Sequence, residues 1–203
     1  MKVSGISGLT DAQLLNRFRN GESTAFDCIV DRYRKPLFTY LIRLVGDRHS
    51  AEDIFQDTFL KVIKGLKAYH EQNKFNNWLF GIAHHLAIDF LRKAQRKQKF
   101  FSQGDIDSEK EIKLENISDL NLLPDEQTEQ QELRKALNEA IQQLPIEQRQ
   151  VFLLREHSDL TFKEIAEMLE KPLNTVLAQM RYALLNLRKI LKKEYRGEIS
   201  HVL

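Results

Sequence analysis

The chain has 203 residues, of which 42 % are hydrophobic and 30 % charged, with 31 basic side chains against 29 acidic ones and a formal net charge of +2. This is enough apolar material for one large packed domain or two small ones, and it excludes wholesale disorder. Eight glycines and four prolines argue against collagen-like and turn-rich all-β classes. No stretch reaches the ~18 consecutive apolar residues of a membrane span. The best, Trp78 to Leu91, is interrupted by His84, His85 and Asp89. The N-terminal MKVSGISGLTD has no apolar h-region of a secretory signal. Cys28 is the single cysteine, so no intramolecular disulfide or thiolate cluster can form. A cytoplasmic protein is expected.

Strand signals are nearly absent, and apolar residues recur at helical spacing, so the fold class is all-α. Asp11 is placed to cap a first helix that stops at Asn20-Gly21. Glu22 to Val45 reads as a second helix ending near Gly46-Asp47, with Pro36 predicting a kink or break inside it. Ser50-x-x-Asp53 opens a third helix in the manner of a capping box. Its core stripe is Phe55, Phe59, Val62, Ile63 and Leu66, and a polar loop runs from Gly65 to Lys74. A fourth helix, Phe75 to Lys97, carries the stripe Trp78, Leu79, Ile82, Ala83, Leu86 and Phe90. These four helices form a first unit, residues 1–100. Residues 101–131 are polar and acidic around Pro124 and read as a flexible linker. Periodicity resumes at Leu133, Leu137, Ile141 and Leu144, and residues 132–203 form a second, small helical domain.

The charge is divided unevenly along this plan. From Gly104 to Glu132 there are ten acids against Lys110 and Lys113, a net −8 that leaves +10 for the rest. One basic block is Arg92, Lys93, Arg96, Lys97 and Lys99, and another is Arg181, Arg188, Lys189, Lys192 and Lys193. Two basic bodies joined by an acidic strap fit a polyanionic partner, although charge runs are also common on solvated helix faces.

The C-terminal pattern is more specific. Thr161-x-x-Glu164 is a capping box opening LTFKEIAEML. Glu170-Lys171-Pro172-Leu173 follows as a turn, with Asn174-Thr175 as the next N-cap region and a long basic helix to Lys193. Short helix, turn and long helix make a helix-turn-helix. At 100° per residue, Val176, Met180, Ala183, Leu184, Leu187 and Leu191 face inward. Ala178, Arg181, Tyr182, Arg188, Lys189 and Lys192 face outward, small and polar residues first and cations after. A recognition helix needs this order, because its first turns read base edges and later cations hold phosphates.

Other chemistries lack residues. His84 and His85 are adjacent on a helix and point about 100° apart, so they cannot share a metal in the i, i+4 manner; they are expected to face solvent or bases. Gly5-x-x-Gly8 lacks the context of a phosphate loop, Cys28 and Trp78 read as core, and no nucleophile–base pair is present. No enzyme, cofactor or metal is predicted. On the third helix the same projection turns Ile54 outward with Asp53, Asp57 and Lys61, with Leu60 at the boundary. An exposed isoleucine among acids fits a protein-binding face.

AEDIFQDTFLKVIKGL followed by FNNWLFGIAHHLAIDFLRKAQR resembles the promoter-opening domain of bacterial sigma factors. LPIEQRQVFLLREHSDLTFKEIAEMLEKPLNTVLAQMRYALLNLRKIL resembles their C-terminal helix-turn-helix domain. With these two domains and a short linker, the chain resembles an extracytoplasmic-function (ECF) type sigma factor over nearly its whole length. The resemblance implies that Asp53, Ile54, Gln56, Asp57 and Leu60 bind the clamp coiled coil of core RNA polymerase. It implies a minus-ten reading surface of Lys67, Asn73, Lys74, Asn77, His84, His85 and Arg92, with the loop Lys67 to Lys74 holding a flipped base. It implies a minus-thirty-five surface of Asn174, Thr175, Leu177, Ala178, Arg181, Tyr182, Arg188 and Lys189. The acidic linker would lie in the polymerase RNA channel, and an anti-sigma factor is an expected partner. His85 stands where many relatives have Asn, and Leu177 where a basic residue commonly follows Thr-Val, so promoter preference is this chain's own. Two readings compete: a stand-alone helix-turn-helix regulator acting as a dimer on palindromic DNA, and a nucleic-acid enzyme with a helix-turn-helix tether.

Overall fold

A computed structural model describes residues 8–69, 74–101 and 128–194, with side chains for 8–69, 74–97 and 132–193. Eight α-helices and no strand occur among the described residues: α1 (Asp11–Arg19), α2 (Ser23–Val45), α3 (Arg48–Gly65), α4 (Phe75–Phe101), α5 (Thr128–Gln142), α6 (Ile146–His157), α7 (Phe162–Met168) and α8 (Leu173–Glu194). The acidic strap between Ser102 and Gln127, and Asn73, lie outside the described residues. The expected linker is trimmed at both ends, since α4 runs on to Phe101 and α5 begins at Thr128.

Helix boundaries follow local chemistry. Thr10, not Asp11, caps α1, and its hydroxyl and the Gln13 side chain exchange hydrogen bonds with each other's backbone N–H. Asp11 is used elsewhere, accepting from Arg32 and from the Tyr33 hydroxyl (2.5 Å), which ties α1 to α2. α1 ends in a Schellman turn on left-handed Gly21: Gly21 N–H donates to Phe18 and Glu22 N–H to Arg17. α2 runs through Pro36 without the expected break. Pro36 removes the donor that would serve the Arg32 carbonyl, but Ile29, Tyr33, Leu37, Tyr40, Leu41 and Leu44 are all buried around it, and that packing holds the helix together. The cap of α3 is Asp47, whose carboxylate accepts from Ser50 N–H (2.8 Å), one turn before the expected Ser50–Asp53 box.

α2 is the central element. α1, α3 and α4 pack on it from the first unit, and α5 and α6 pack on it from the second. Buried apolar side chains form one continuous cluster from Leu14 to Leu187. Polar contacts cross between the units as well. Gln142 Nε2 donates to the Arg43 carbonyl (2.6 Å), Arg43 Nη1 meets His157 Nε2 (3.1 Å), and Asn76 donates to the Ser158 carbonyl. No helix among the described residues is long and apolar enough to cross a membrane.

Candidate nucleic-acid and polymerase interfaces

On α3 the buried arc is Ala51, Ile54, Thr58, Phe59 and Val62. Ile54 is therefore turned inward, at 6 % exposure, and the expectation that it faces solvent is wrong. The Thr58 hydroxyl, fully buried, is satisfied by the Ile54 carbonyl one turn back (2.7 Å). With the arc so placed, Asp53, Gln56 and Asp57 are exposed, and the apolar residues among them are Leu60 (53 % exposed) and Ile63 (43 %). Ile63, expected in the core, stands in place of Ile54 on this outer face.

The second surface lies along α4. Its fully buried line is Phe75, Leu79, Phe80, Ala83 and Ala87, so Trp78, Ile82, Leu86 and Phe90 of the expected stripe are only half-buried. His84 shares the inward face and is 6 % exposed, contrary to the expected solvent or base contact. Its Nδ1 hydrogen-bonds the Tyr40 hydroxyl (2.8 Å), and burial pushes the imidazole down to about 4, with the neighbouring cationic groups acting in the same direction. His85, by contrast, is exposed, and its Nδ1 donates to the Gly81 carbonyl (2.6 Å). A carbonyl can only accept, so Nδ1 carries a proton and Nε2 is not engaged by this bond.

Lys74, Asn77, Trp78, Gly81, Ile82 and His85 fall along one side of α4 and line a cleft of about 650 Å³. Lys61 and Tyr69 extend that wall, and Glu167, Met168 and Glu170 of the second unit form the opposite one. Hydrogen bonds from Thr161 hold the nearby Glu164 carboxyl below its usual range, and the Lys74 ammonium pulls in the same direction. Lys67 and Arg92 are exposed, Arg92 lying 4.0 Å from Asp89.

The third surface is the helix-turn-helix. Thr161 and Glu164 form the expected capping box on α7. α7 ends in a Schellman turn, with Glu170 N–H donating to Glu167 and Lys171 N–H to Ala166. Glu170 holds the left-handed position (φ 52°) that glycine usually fills. The α8 helix begins at Leu173, one residue before the expected cap, so Asn174 and Thr175 sit in its first turn. Val176, Ala183 and Leu187 are buried, and Asn186 donates to Gln148 Oε1 (2.8 Å), fixing α8 on α6. Asn174, Thr175, Leu177, Ala178, Arg181, Tyr182, Arg188 and Lys189 are all exposed along one helix. Leu184, expected inward, is 50 % exposed. Among the described residues no group of three His, Cys, Asp or Glu side chains is gathered as for a metal ion.

Comparison with known proteins matches the chain to a family. The Sigma-70 region 2 model matches residues 29–97, and the Sigma-70 region 4 model matches residues 134–187. SigX of Bacillus subtilis, an ECF RNA polymerase sigma factor, is 30 % identical over 165 residues, covering 81 % of this chain and 82 % of SigX. The chain belongs to the ECF sigma factor family. SigW of the same organism is 28 % identical over 184 residues, 90 % of this chain and 95 % of SigW. The sigma factor RpoE of Bartonella quintana, solved with the anti-sigma factor NepR, shares the fold with a TM-score of 0.65 at 19 % identity, over 82 % of this chain and 96 % of that one. An ECF sigma factor directs promoter-specific transcription initiation by RNA polymerase, as a DNA-binding regulatory subunit rather than a catalyst.

In this ECF sigma factor, Lys61, Tyr69, Trp78, Gly81 and Ile82 were missed as cleft residues. The signal was present for those on α4, since positions 74, 77, 78, 81, 82 and 85 form one helical stripe. Trp78 and Ile82 were placed in the core with the large apolar stripe of that helix, whereas the buried line runs through Phe75, Leu79, Phe80, Ala83 and Ala87. Glu167 and Glu170 had no local signal, because only the packing of the two units brings them to the cleft.

Proposed function

We propose that this sigma factor contacts core RNA polymerase through the outer face of α3, reads the minus-ten element in the α4 cleft, and reads the minus-thirty-five element with α8. The observation that carries the reading is the spatial order of α4 and α8. Each presents hydrogen-bonding and cationic side chains on its outer face while its apolar line is buried. His85 offers its Nε2, and Asn77 an amide, to a base edge; Lys74, Lys67 and Arg92 supply phosphate contacts. We divide the chain into a promoter-opening unit (1–100), an acidic strap (101–131) and a helix-turn-helix unit (132–203). The strap's net charge suits a basic channel of the polymerase. An anti-sigma factor, the partner named for the Bartonella quintana relative, is a natural regulator of the same surfaces, and the protein acts where polymerase does, in the cytoplasm. Reconstitution with core RNA polymerase and mapping of transcript starts tests the whole reading. A chain that binds DNA tightly as a dimer without polymerase would sink it.

On α3, Leu60→Lys with Ile63→Lys is expected to weaken core polymerase binding by about 2 kcal/mol or more, since desolvated anchors dominate interfaces. Both side chains are exposed, so the helical fold should persist. Affinity titration of the labelled chain with core enzyme measures this, and unchanged affinity removes the face from the interface.

On α8, Arg181 lies within two and a half turns of the helix start at Leu173, and Lys189 lies about 12 Å further on at 1.5 Å per residue. Arg181→Ala is expected to change sequence preference, costing ~1–3 kcal/mol at one base pair. Lys189→Ala should weaken binding to all promoters alike and flatten the salt dependence by about one phosphate contact. Selection from a randomised promoter library by mutant holoenzyme separates the two; an unaltered preference in Arg181→Ala would leave that side chain a positioning role only.

A further inference from the structure

One set of contacts ties α1, which precedes the residues matched to Sigma-70 region 2, to the wall of the α4 cleft. After α3 the chain makes a tight turn, with Ala68 and Tyr69 N–H both donating to the Gly65 carbonyl (3.0 Å each). Arg19, at the end of α1, reaches 47 residues along the sequence to this turn. Its Nη2 donates to the Leu66 carbonyl (3.0 Å) and also to the Tyr69 carbonyl. One guanidinium therefore fixes both the entry and the exit of the turn, with charge-assisted hydrogen bonds. Tyr69, so placed, stacks on Trp78 with centroids 4.4 Å apart and planes 18° apart, and meets Phe75 edge-on at 6.0 Å. Trp78 is also confined by Gly65, where a Cβ would come within 2.9 Å of Trp78 Cζ2. Tyr69 and Trp78 are both lining residues of the cleft, beside Lys74 and Asn77.

We infer that Arg19 is a positioning residue for promoter recognition: it sets the turn that holds the Tyr69–Trp78 stack, and through that stack the shape of the cleft that receives minus-ten DNA. The inference rests on the proposed minus-ten reading of the cleft. Arg19 touches no DNA in this role. Its effect is transmitted through a stacked pair constrained at both members, by the hydrogen bond to the Tyr69 carbonyl and by the close approach of Gly65 to Trp78. An aromatic wall of this kind is where an unpaired base would stack, so its tilt decides which base fits.

Trp78 is the only tryptophan of the chain, which gives the cluster its own optical signal. The test uses the full chain for fluorescence and the reconstituted holoenzyme for promoter selection. Arg19→Ala releases the hold on Tyr69. Gly65→Ala, with Arg19 intact, pushes directly on Trp78 and stands in if Arg19→Ala folds poorly. Both variants are expected to shift Trp78 emission and its quenching by acrylamide. Both should weaken selection of the preferred minus-ten sequence by roughly three- to tenfold, the scale of one or two lost hydrogen bonds. Binding to core polymerase and to a minus-thirty-five duplex should stay at wild-type levels. A changed Trp78 signal with an unaltered minus-ten preference in both variants would reduce Arg19 to a structural tie and overturn the inference. An unaltered signal in Arg19→Ala would overturn it too. Lys74→Ala and Asn77→Ala, measured alongside, report on the underlying reading. If they leave minus-ten preference untouched, the cleft itself is not the reading site, an outcome distinct from failure of the Arg19 claim alone.

Discussion

Acidification from pH 7 to about pH 4.5 is expected to destabilise the folded chain by about 2–3 kcal/mol through His84 alone. The imidazole is 6 % exposed and held at about 4 by burial, against an ordinary value of 6.5. Between those two values the unfolded chain binds a proton that the folded chain refuses. Stability is therefore complete above about pH 6.5 and falls as pH drops, by at most 1.36 kcal/mol per pH unit. His157 acts in the same direction, because burial, followed by the Arg43 guanidinium beside it, lowers it to about 4. The carboxyls of Asp47 and Glu164 are held low in the fold. Their contributions are lost only below the ordinary carboxylate range, so the histidines govern the window from 6.5 to 4.5. Urea midpoints at a series of pH values measure the slope. His84→Gln keeps a polar partner for the Tyr40 hydroxyl without a titrating group, and it should remove His84's share. A slope unchanged in that variant would assign the acid sensitivity to other groups.

His84 also shows where the sequence stopped being legible. The four helices of the first unit, the helix-turn-helix, the Thr161 capping box and the Gly46 stop could all be read, because each has a local cause: a 3.6-residue period, a cap or a left-handed glycine. The α3 face was misread because its stripe was anchored on Phe55 and Phe59. The helix lies against both α2 and α4, which widens the buried arc and moves its centre toward Ala51, Ile54 and Thr58. A pattern built on large apolar residues gives no weight to a buried threonine that bonds its own helix. It gives none to a buried histidine whose partner, Tyr40, lies 44 residues away. The Pro36 break was expected from local cost alone, and the burial of Ile29, Tyr33, Leu37, Tyr40, Leu41 and Leu44 along α2 outweighed it. On α8 the inward line was drawn one residue too wide at Leu184, because only part of that helix meets a neighbour. The groups joining the two units, Arg43 with His157 and Gln142 with Arg43, are 114 and 99 residues apart. No short-range pattern marks them.

Arg149→Ala is expected to destabilise the fold by about 2–4 kcal/mol, a large effect for a half-buried polar side chain. The Arg149 guanidinium donates to the Leu44 carbonyl (3.3 Å), to Gln142 Oε1 (2.8 Å), to the Leu144 carbonyl (3.1 Å) and to the Gln142 carbonyl. It thus places one cation at the carbonyl-rich ends of two helices, α2 from the first unit and α5 from the second, where the helix dipoles favour it. Its hydrogen bond also orients Gln142, whose amide donates to the Arg43 carbonyl. Gln142 fits there because Gly46, left-handed at φ 82°, has no Cβ; an added one would lie 3.0 Å from Oε1. Truncation leaves several half-buried carbonyls without donors, each costing on the order of 1 kcal/mol or more. Lysine cannot replace the fork, so Arg149→Lys should recover only part of the loss. Because one lost bond, to Leu44, crosses between the units and another orients Gln142 for its own cross-unit bond to Arg43, loosening should be felt in their docking as well as at the end of α5. A donor–acceptor dye pair, one on each unit, should report a longer distance in Arg149→Ala before either unit unfolds. Glu167 and Glu170 form the far wall of the α4 cleft only while the units are docked. The same variant should therefore bind single-stranded minus-ten DNA more readily than the wild type even as its unfolding midpoint falls. Lower stability with an unchanged distance and unchanged DNA binding would confine Arg149 to the second unit's own fold.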